Sequence, residues 1–167
     1  MTERAVRYQT GIDGIVAGDL AGGFFVGWPM PPSPELHLAM LRGSEAVVLA
    51  IDDAVGAGAP GRVVGYVQAI GDGVLSAFIP NLEVLPDWQG QGIGSELVRL
   101  ALDVLGPRYS VDLVCDDDLV PFYERLGLSR YTAMIRRDRR AIMTAADRFP
   151  DQAAGDHPQE ARRDDPR

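Results

Sequence analysis

Three glycines spaced two apart, Gly90, Gly92 and Gly94, separate an apolar run that stops at Pro86 from a segment of helical periodicity. A strand that turns into a helix through such a loop leaves bare backbone N–H groups at the helix start. Without side chains in the way, a bulky anion can approach them, and the helix dipole favours its negative charge. The loop therefore reads as a pyrophosphate cradle. A P-loop is excluded, because its G-x-x-x-x-G-K-[ST] pattern needs a lysine and the chain has none. A dinucleotide fingerprint G-x-G-x-x-G begins well at Gly90 and Gly92 but meets Ser95 at its third glycine. Asp112 stands about twenty residues on, where a ribose-binding acid would be, yet too little sequence follows for further βαβ units. A connection that binds nothing is the remaining reading.

Around this loop the chain predicts the order β-α-α-β-β-β-α-β-α-β. Ala5 to Thr10 reads as a strand, and Asp13 to Phe25 and Ser33 to Arg42 as helices. The second helix has Ser33 as N-cap and Pro34 at its first position. Ala46 to Ile51 is an apolar strand. Arg62 to Ile70 and Val74 to Ile79 form a hairpin across Gly71-Asp72-Gly73. Pro80 cannot donate to a partner, so a bulge or splay is expected before Leu82 to Leu85 resumes the strand. Gln91 to Leu105 is a helix with Ile93, Leu97, Leu100, Ala101 and Val104 on one face. Val111 to Cys115 is a buried strand, Asp118 to Leu126 a short helix capped by Asp118, and Leu128 to Arg136 a last strand. Residues 138–167 hold six arginines and seven acids. A short helix at Arg140 to Arg148 is possible there, and beyond Pro150 the composition is that of a charged, flexible tail.

The 167 residues, 46% hydrophobic and 24% charged, suit one domain. No apolar run reaches a membrane span, and no h-region follows Met1. Cys115 is the only cysteine, so an internal disulfide is excluded. A cytoplasmic protein is the simplest reading. Arginine as the sole cation, with abundant Ala, Gly and Asp, suggests a GC-rich bacterial genome. The net charge of −8 disfavours nucleic acid and favours cationic ligands.

Gln89, Gly92 and Gly94 fill a Q-x-x-G-x-G pattern, and Phe122-Tyr123-Glu124-Arg125-Leu126-Gly127-Leu128 follows at a fitting distance. Together they resemble the GNAT N-acetyltransferases, whose coenzyme A loop reads Q/R-x-x-G-x-G/A. The resemblance covers about Ala5 to Arg137. It implies an α/β (α+β) GNAT fold over residues 1–137, with a central mixed twisted sheet, helices on both faces, and 138–167 as an appended tail. It also implies acetyl-CoA as co-substrate, no metal, and direct transfer to an amine in a ternary complex.

By the same resemblance, backbone N–H groups of Leu82, Glu83 and Val84 orient the pantetheine and polarise the thioester carbonyl. The segment Gln89, Gly90, Gln91, Gly92, Ile93, Gly94 and Ser95 holds the diphosphate. Tyr123 protonates the leaving thiolate, with packing as its alternative role. Asp116 stands where the family often has an Asn that contacts the cofactor, and Gln91 where it often has Arg or Lys. A Glu that some members carry in the fifth strand is replaced by Val111, so the general base is not identified. Glu83 is a candidate for it, as well as for a salt bridge. Phe24, Phe25, Trp28 and Met30 either line the acceptor site or pack the core. Cys115 is no nucleophile, because the three acids after it raise its pKa. His37 and His157 have no zinc-type spacing.

These readings converge on transfer of an acetyl group from acetyl-CoA to the primary amine of a small molecule. The acceptor could instead be a peptide or protein amine. A non-catalytic acyl-CoA-binding module is the rival from another class, and Tyr123 argues against it. No nucleic acid or membrane partner is expected, and the chain is expected to be a monomer or homodimer.

Overall fold

The computed structural model describes residues 6–53, 61–138 and 141. Five strands form one sheet in the order β1 (Arg7–Thr10), β2 (Ala46–Asp52), β3 (Arg62–Gly71), β4 (Ser76–Val84), β5 (Ser110–Leu113). The first four are antiparallel neighbours, and β5 lies parallel to β4. The helices are α1 (Pro34–Arg42), α2 (Ile93–Leu105) and α3 (Val120–Glu124). Alternation along β2, and along β3 on either side of a bulge at Val64, divides the core between the two faces of the sheet. Val48, Ala50, Val64 and Val67 pack with Leu97 and Ala101 of α2. Val47, Leu49, Ile51, Val63 and Tyr66 pack with Leu38 and Leu41 of α1.

Local chemistry fixes the ends of these elements. Ser33 Oγ accepts from the N–H of Leu36 at 3.2 Å, and Pro34 opens α1. Asp72 Oδ1 accepts from the N–H groups of Val74, Leu75 and Ser76, which closes the β3–β4 turn. The bulge expected at Pro80 is present. Gln68 faces Asn81 and Ile70 faces Phe78, so Ala69 alone opposes both Ile79 and Pro80.

Two predicted elements differ. Asp13 to Phe25 forms no α-helix; its only helical turn is a 3-10 turn at Ala17–Leu20. Gly14, Gly22 and Gly23 take positive φ there, which a right-handed helix cannot accommodate, and these glycines outweigh the apolar spacing. Leu128 to Arg136 joins no ladder among the described residues. Its alternating apolar residues give strand propensity, but a strand is made by its partner. Asp118 caps no helix through its side chain either. It lies inside a 3-10 turn, Asp117–Leu119, that feeds α3. The proposed helix at Arg140 to Arg148 and the tail beyond Pro150 lie outside the described residues, apart from Ala141.

Candidate active site

The β4–β5 ladder runs from Ser76↔Ser110 to Ile79↔Leu113 and ends where Pro80 begins. Beyond that point β4 stays with β3 while its other edge is released. A cavity of about 870 Å³ opens in the gap. Its walls are Ile79 to Val84 of β4, Leu113 at the end of β5 with Val114 to Asp116 after it, and Tyr123 of α3. Gly23, Val26, Gly27, Trp28, Pro29 and Met30 of the loop before α1 close one end.

The orientation of β4 backbone groups follows from one bond. The N–H of Leu85 donates to Val64 of β3 at 2.8 Å. Successive residues of a strand alternate between its two edges. The N–H groups of Val84 and Leu82 therefore face the released edge, whereas that of Glu83, expected to join them, points to β3. Gln89 Nε2 donates to the Val84 carbonyl at 2.9 Å, which ties the glycine loop to that same edge. Gln89 thus acts on the loop's position, a role its place in the motif did not reveal.

The loop enters α2 through Gly92, whose φ of +83° is the left-handed conformation, and Gly90 has φ +72°. The first α2 hydrogen bond runs from the N–H of Glu96 to the Gly92 carbonyl at 3.1 Å. The N–H groups of Ile93, Gly94 and Ser95 precede that ladder and have no intrahelical acceptor. Gly90, Gln91 and Gly92 are exposed. A Cβ at Gly94 would meet Phe122, Val84 and Leu82 at 3.7 to 4.0 Å, so the helix start adjoins both walls of the cavity. Of the sequence-derived site residues, Leu82, Glu83, Val84, Gln89, Asp116 and Tyr123 line the cavity, and Gly90 to Ser95 stand at its margin. Sequence reasoning missed Arg137, a cation in the cavity lining.

Burial pushes the Tyr123 phenol up to about 12, and the neighbouring Cys115 adds to the shift. Tyr123 is therefore a protonated donor throughout the neutral range. The Cys115 thiol is itself pushed up, by burial first and then by Asp116, Asp117 and Asp118, and so is no thiolate nucleophile. Among the described residues no three His, Cys, Asp or Glu side chains are grouped to hold a metal.

Glu83 lines the same cavity from β4. It sits across from Tyr66 in the β3–β4 register, so both side chains lie on the α1 face. Its Oε2 accepts a 2.5 Å hydrogen bond from the N–H of Phe25. Burial raises the Glu83 carboxyl, and that hydrogen bond lowers it in part. Phe25 carries φ +59°, which costs an aromatic residue roughly 1–2 kcal/mol. Its ring is buried against Trp28, His37 and Tyr66. Phe24 and Phe25 are thus core residues, whereas Trp28 and Met30 line the cavity.

The same cluster predicts an acid-sensitive fold. His37 is 2% exposed, and its Nε2 has no hydrogen-bond partner among the described residues. Burial lowers its pKa from 6.5 to about 4. As pH falls below 6.5 the unfolded chain takes up a proton that the native imidazole refuses. Stability is fully present above that pH and is lost toward pH 4, by at most about 3 kcal/mol. Urea unfolding at pH 7, 5.5 and 4.5 should show this loss, and His37→Phe should flatten it.

Comparison with known proteins agrees with this geometry. The profile of the family described as "Acetyltransferase (GNAT) family" matches residues 16–128. A rice protein named serotonin N-acetyltransferase 2, chloroplastic, is 35% identical over 133 residues, covering 78% of this chain and 63% of its own. The chain thus spans less than two thirds of that relative's length. A Deinococcus radiodurans R1 protein, crystallised as a candidate acetyltransferase, is 47% identical with a TM-score of 0.75 over 83% of this chain and 94% of its own. A GNAT family acetyltransferase structure from Streptococcus pneumoniae is 30% identical with a TM-score of 0.64, over 81% and 99%.

Proposed function

The chain belongs to the GNAT acetyltransferase family, and from that premise we propose that it moves the acetyl group of acetyl-CoA to the primary amine of a small molecule. The observation that carries this reading is the gap below Ile79↔Leu113. It exposes one edge of β4 and faces a half-buried, protonated tyrosine, with a half-buried carboxylate beside the loop before α1.

In this reading the N–H groups of Ile93, Gly94 and Ser95 receive the diphosphate, with Gly90, Gln91 and Gly92 letting it approach. The released edge of β4 orients the pantetheine, and the N–H of Leu82 or Val84 stabilises the developing oxyanion. The acceptor enters as an ammonium ion drawn to Glu83 and loses a proton to that carboxylate, directly or through water. Its nitrogen attacks the thioester carbon and the C–N bond forms. The nitrogen, cationic in the tetrahedral intermediate, gives up its second proton to solvent, as does Glu83 the proton it took, and the intermediate expels the thiolate as the C–S bond breaks. Tyr123 gives the thiolate its proton and recovers one from solvent. Asp116 faces the same space and makes it more acidic, which suits a cationic acceptor better than an anionic donor.

The loop before α1, which holds Glu83 through Phe25, lines the cavity with apolar residues alone. Val26 is 71% and Trp28 50% exposed, beside Pro29 and Met30. Such a surface fits a singly charged amine on an apolar or aromatic body, and the rice relative's name is consistent with this. Turnover of acetyl-CoA should be measured with aromatic amines, polyamines, amino sugars and a peptide with a free N-terminus. Apolar amines should give the highest kcat/KM. Trp28→Ala should raise their KM roughly tenfold, the scale of losing part of one aromatic contact, and leave the KM for acetyl-CoA unchanged. Preference for the peptide would replace this reading with protein N-terminal acetylation.

A further inference from the structure

We infer that Phe25 is a positioning residue for Glu83: its left-handed backbone aims one N–H at Oε2 and leaves the other carboxylate oxygen to meet the acceptor amine. The inference rests on the acceptor role given to Glu83 above.

Phe25 is the one non-glycine residue with positive φ among the described residues. Gly22, Gly23 and Gly27 around it adopt that conformation freely. A loop that only had to turn would be served by a fourth glycine. The phenyl ring supplies what glycine lacks. It is 4% exposed, with ring centroids 4.9 Å from His37 and 5.3 Å from Trp28. The ring pins the residue, and the pinned residue presents its N–H.

The direction of that N–H is specific. Gly23, Val26, Gly27 and Trp28 line the cavity while Phe25 does not, so the loop faces the acceptor on either side of a residue turned into the core. The N–H reaches Glu83 across 58 positions of sequence at 2.5 Å. The other titratable groups near the carboxylate offer it no counter-charge. Tyr66 from β3 is held far above its ordinary value by burial, and His37 from α1 is neutral above about pH 4. Tyr66 Oη has no hydrogen-bond partner among the described residues, so it does not hold Glu83. Asp116, Tyr123, Arg137 and Asp138 line the same cavity, but the shift of the Glu83 carboxyl has burial and the Phe25 N–H as its causes. The Phe25 N–H is the hydrogen bond the structure gives this carboxylate, and a hydrogen bond to the charged form also keeps it ionised.

Replacing the Phe25 amide by an ester, with phenyllactate introduced at position 25 by nonsense suppression, removes that N–H and keeps the ring. The Glu83 carboxyl, followed by carbon NMR against Glu83→Gln, should titrate about one pH unit higher. The acid limb of kcat should move with it. KM for the amine should rise about tenfold and KM for acetyl-CoA should hold. Phe25→Gly keeps the N–H and the left-handed preference but frees the residue, and should give a smaller change of the same sign. In a Glu83→Gln background the ester should leave the amine KM unmoved. An unchanged Glu83 titration in the ester protein overturns the inference, as does an equal ester effect with Gln at position 83. A parent protein that acetylates no amine overturns the acceptor reading instead; the carboxyl titration, which needs no turnover, still decides whether Phe25 holds Glu83.

Discussion

Tyr123→Phe is expected to lower kcat by roughly 10²- to 10⁴-fold, the range spanned by general acid catalysis. Phenylalanine keeps the ring that packs at 4.8 Å from Phe122 and removes only the hydroxyl. The lost interaction is one made mainly as the C–S bond breaks, so kcat should fall and KM for acetyl-CoA should change little. Burial lifts the phenol to about 12. On free-solution values it would then be a poor match for a thiol of pKa about 8.5. The same buried setting also raises the thiol of a thiolate departing beside it, which narrows the mismatch. The shift changes the expected pH profile as well. An unburied phenol would give a falling limb near pH 10, whereas Tyr123 should hold its proton until about pH 12. Activity should therefore stay flat through pH 10. A mutant with near-parent kcat in single-turnover measurements, folded by circular dichroism, would make Tyr123 a packing residue.

How legible the site was depends on the range of the interaction that built each part. Pro80 could be read because its lack of an N–H is a property of one residue, and the bulge follows wherever the strand is paired. The start of α2 was readable from the glycines and the apolar spacing that succeeds them. Val84 and Leu82 could be named from the sequence, but which strand edge they face depends on the bond from Leu85 to Val64. The failed helix at Asp13 to Phe25 shows a local signal outweighed by another local signal, since its apolar spacing is crossed by glycines with positive φ. Glu83 was visible only as an acid near an expected gap. Its partner is a backbone group 58 residues away, which carries no side-chain signature. The one hint was an aromatic pair, Phe24-Phe25, set between glycines, where a loop needing flexibility alone would hold small polar residues.

Gly92→Val should weaken acetyl-CoA binding by about 100-fold or more, the equivalent of losing one or two charge-assisted hydrogen bonds of about 1.5–3 kcal/mol each. The position joins two requirements. Its φ of +83° turns the chain into α2, and its lack of a side chain leaves the anion's path to the N–H groups of Ile93, Gly94 and Ser95 open. A Cβ there would touch nothing within 4 Å, so steric conflict inside the protein is not the reason for glycine. Backbone conformation is one reason, and a β-branched residue in the left-handed region costs about 1–2 kcal/mol. Valine should therefore lower the melting temperature by several degrees as well as the affinity. Gly94 separates the two effects. Its φ is not positive, and a Cβ there would find ordinary contacts at 3.7 to 4.0 Å. Gly94→Ala should thus fold like the parent and bind with nearly parent affinity. Gly92→Ala should carry much of the conformational cost with a smaller obstruction. Calorimetric titration of acetyl-CoA into the three proteins would order them Gly94→Ala, Gly92→Ala, Gly92→Val by increasing Kd. Undiminished binding in folded Gly92→Val would place the diphosphate elsewhere.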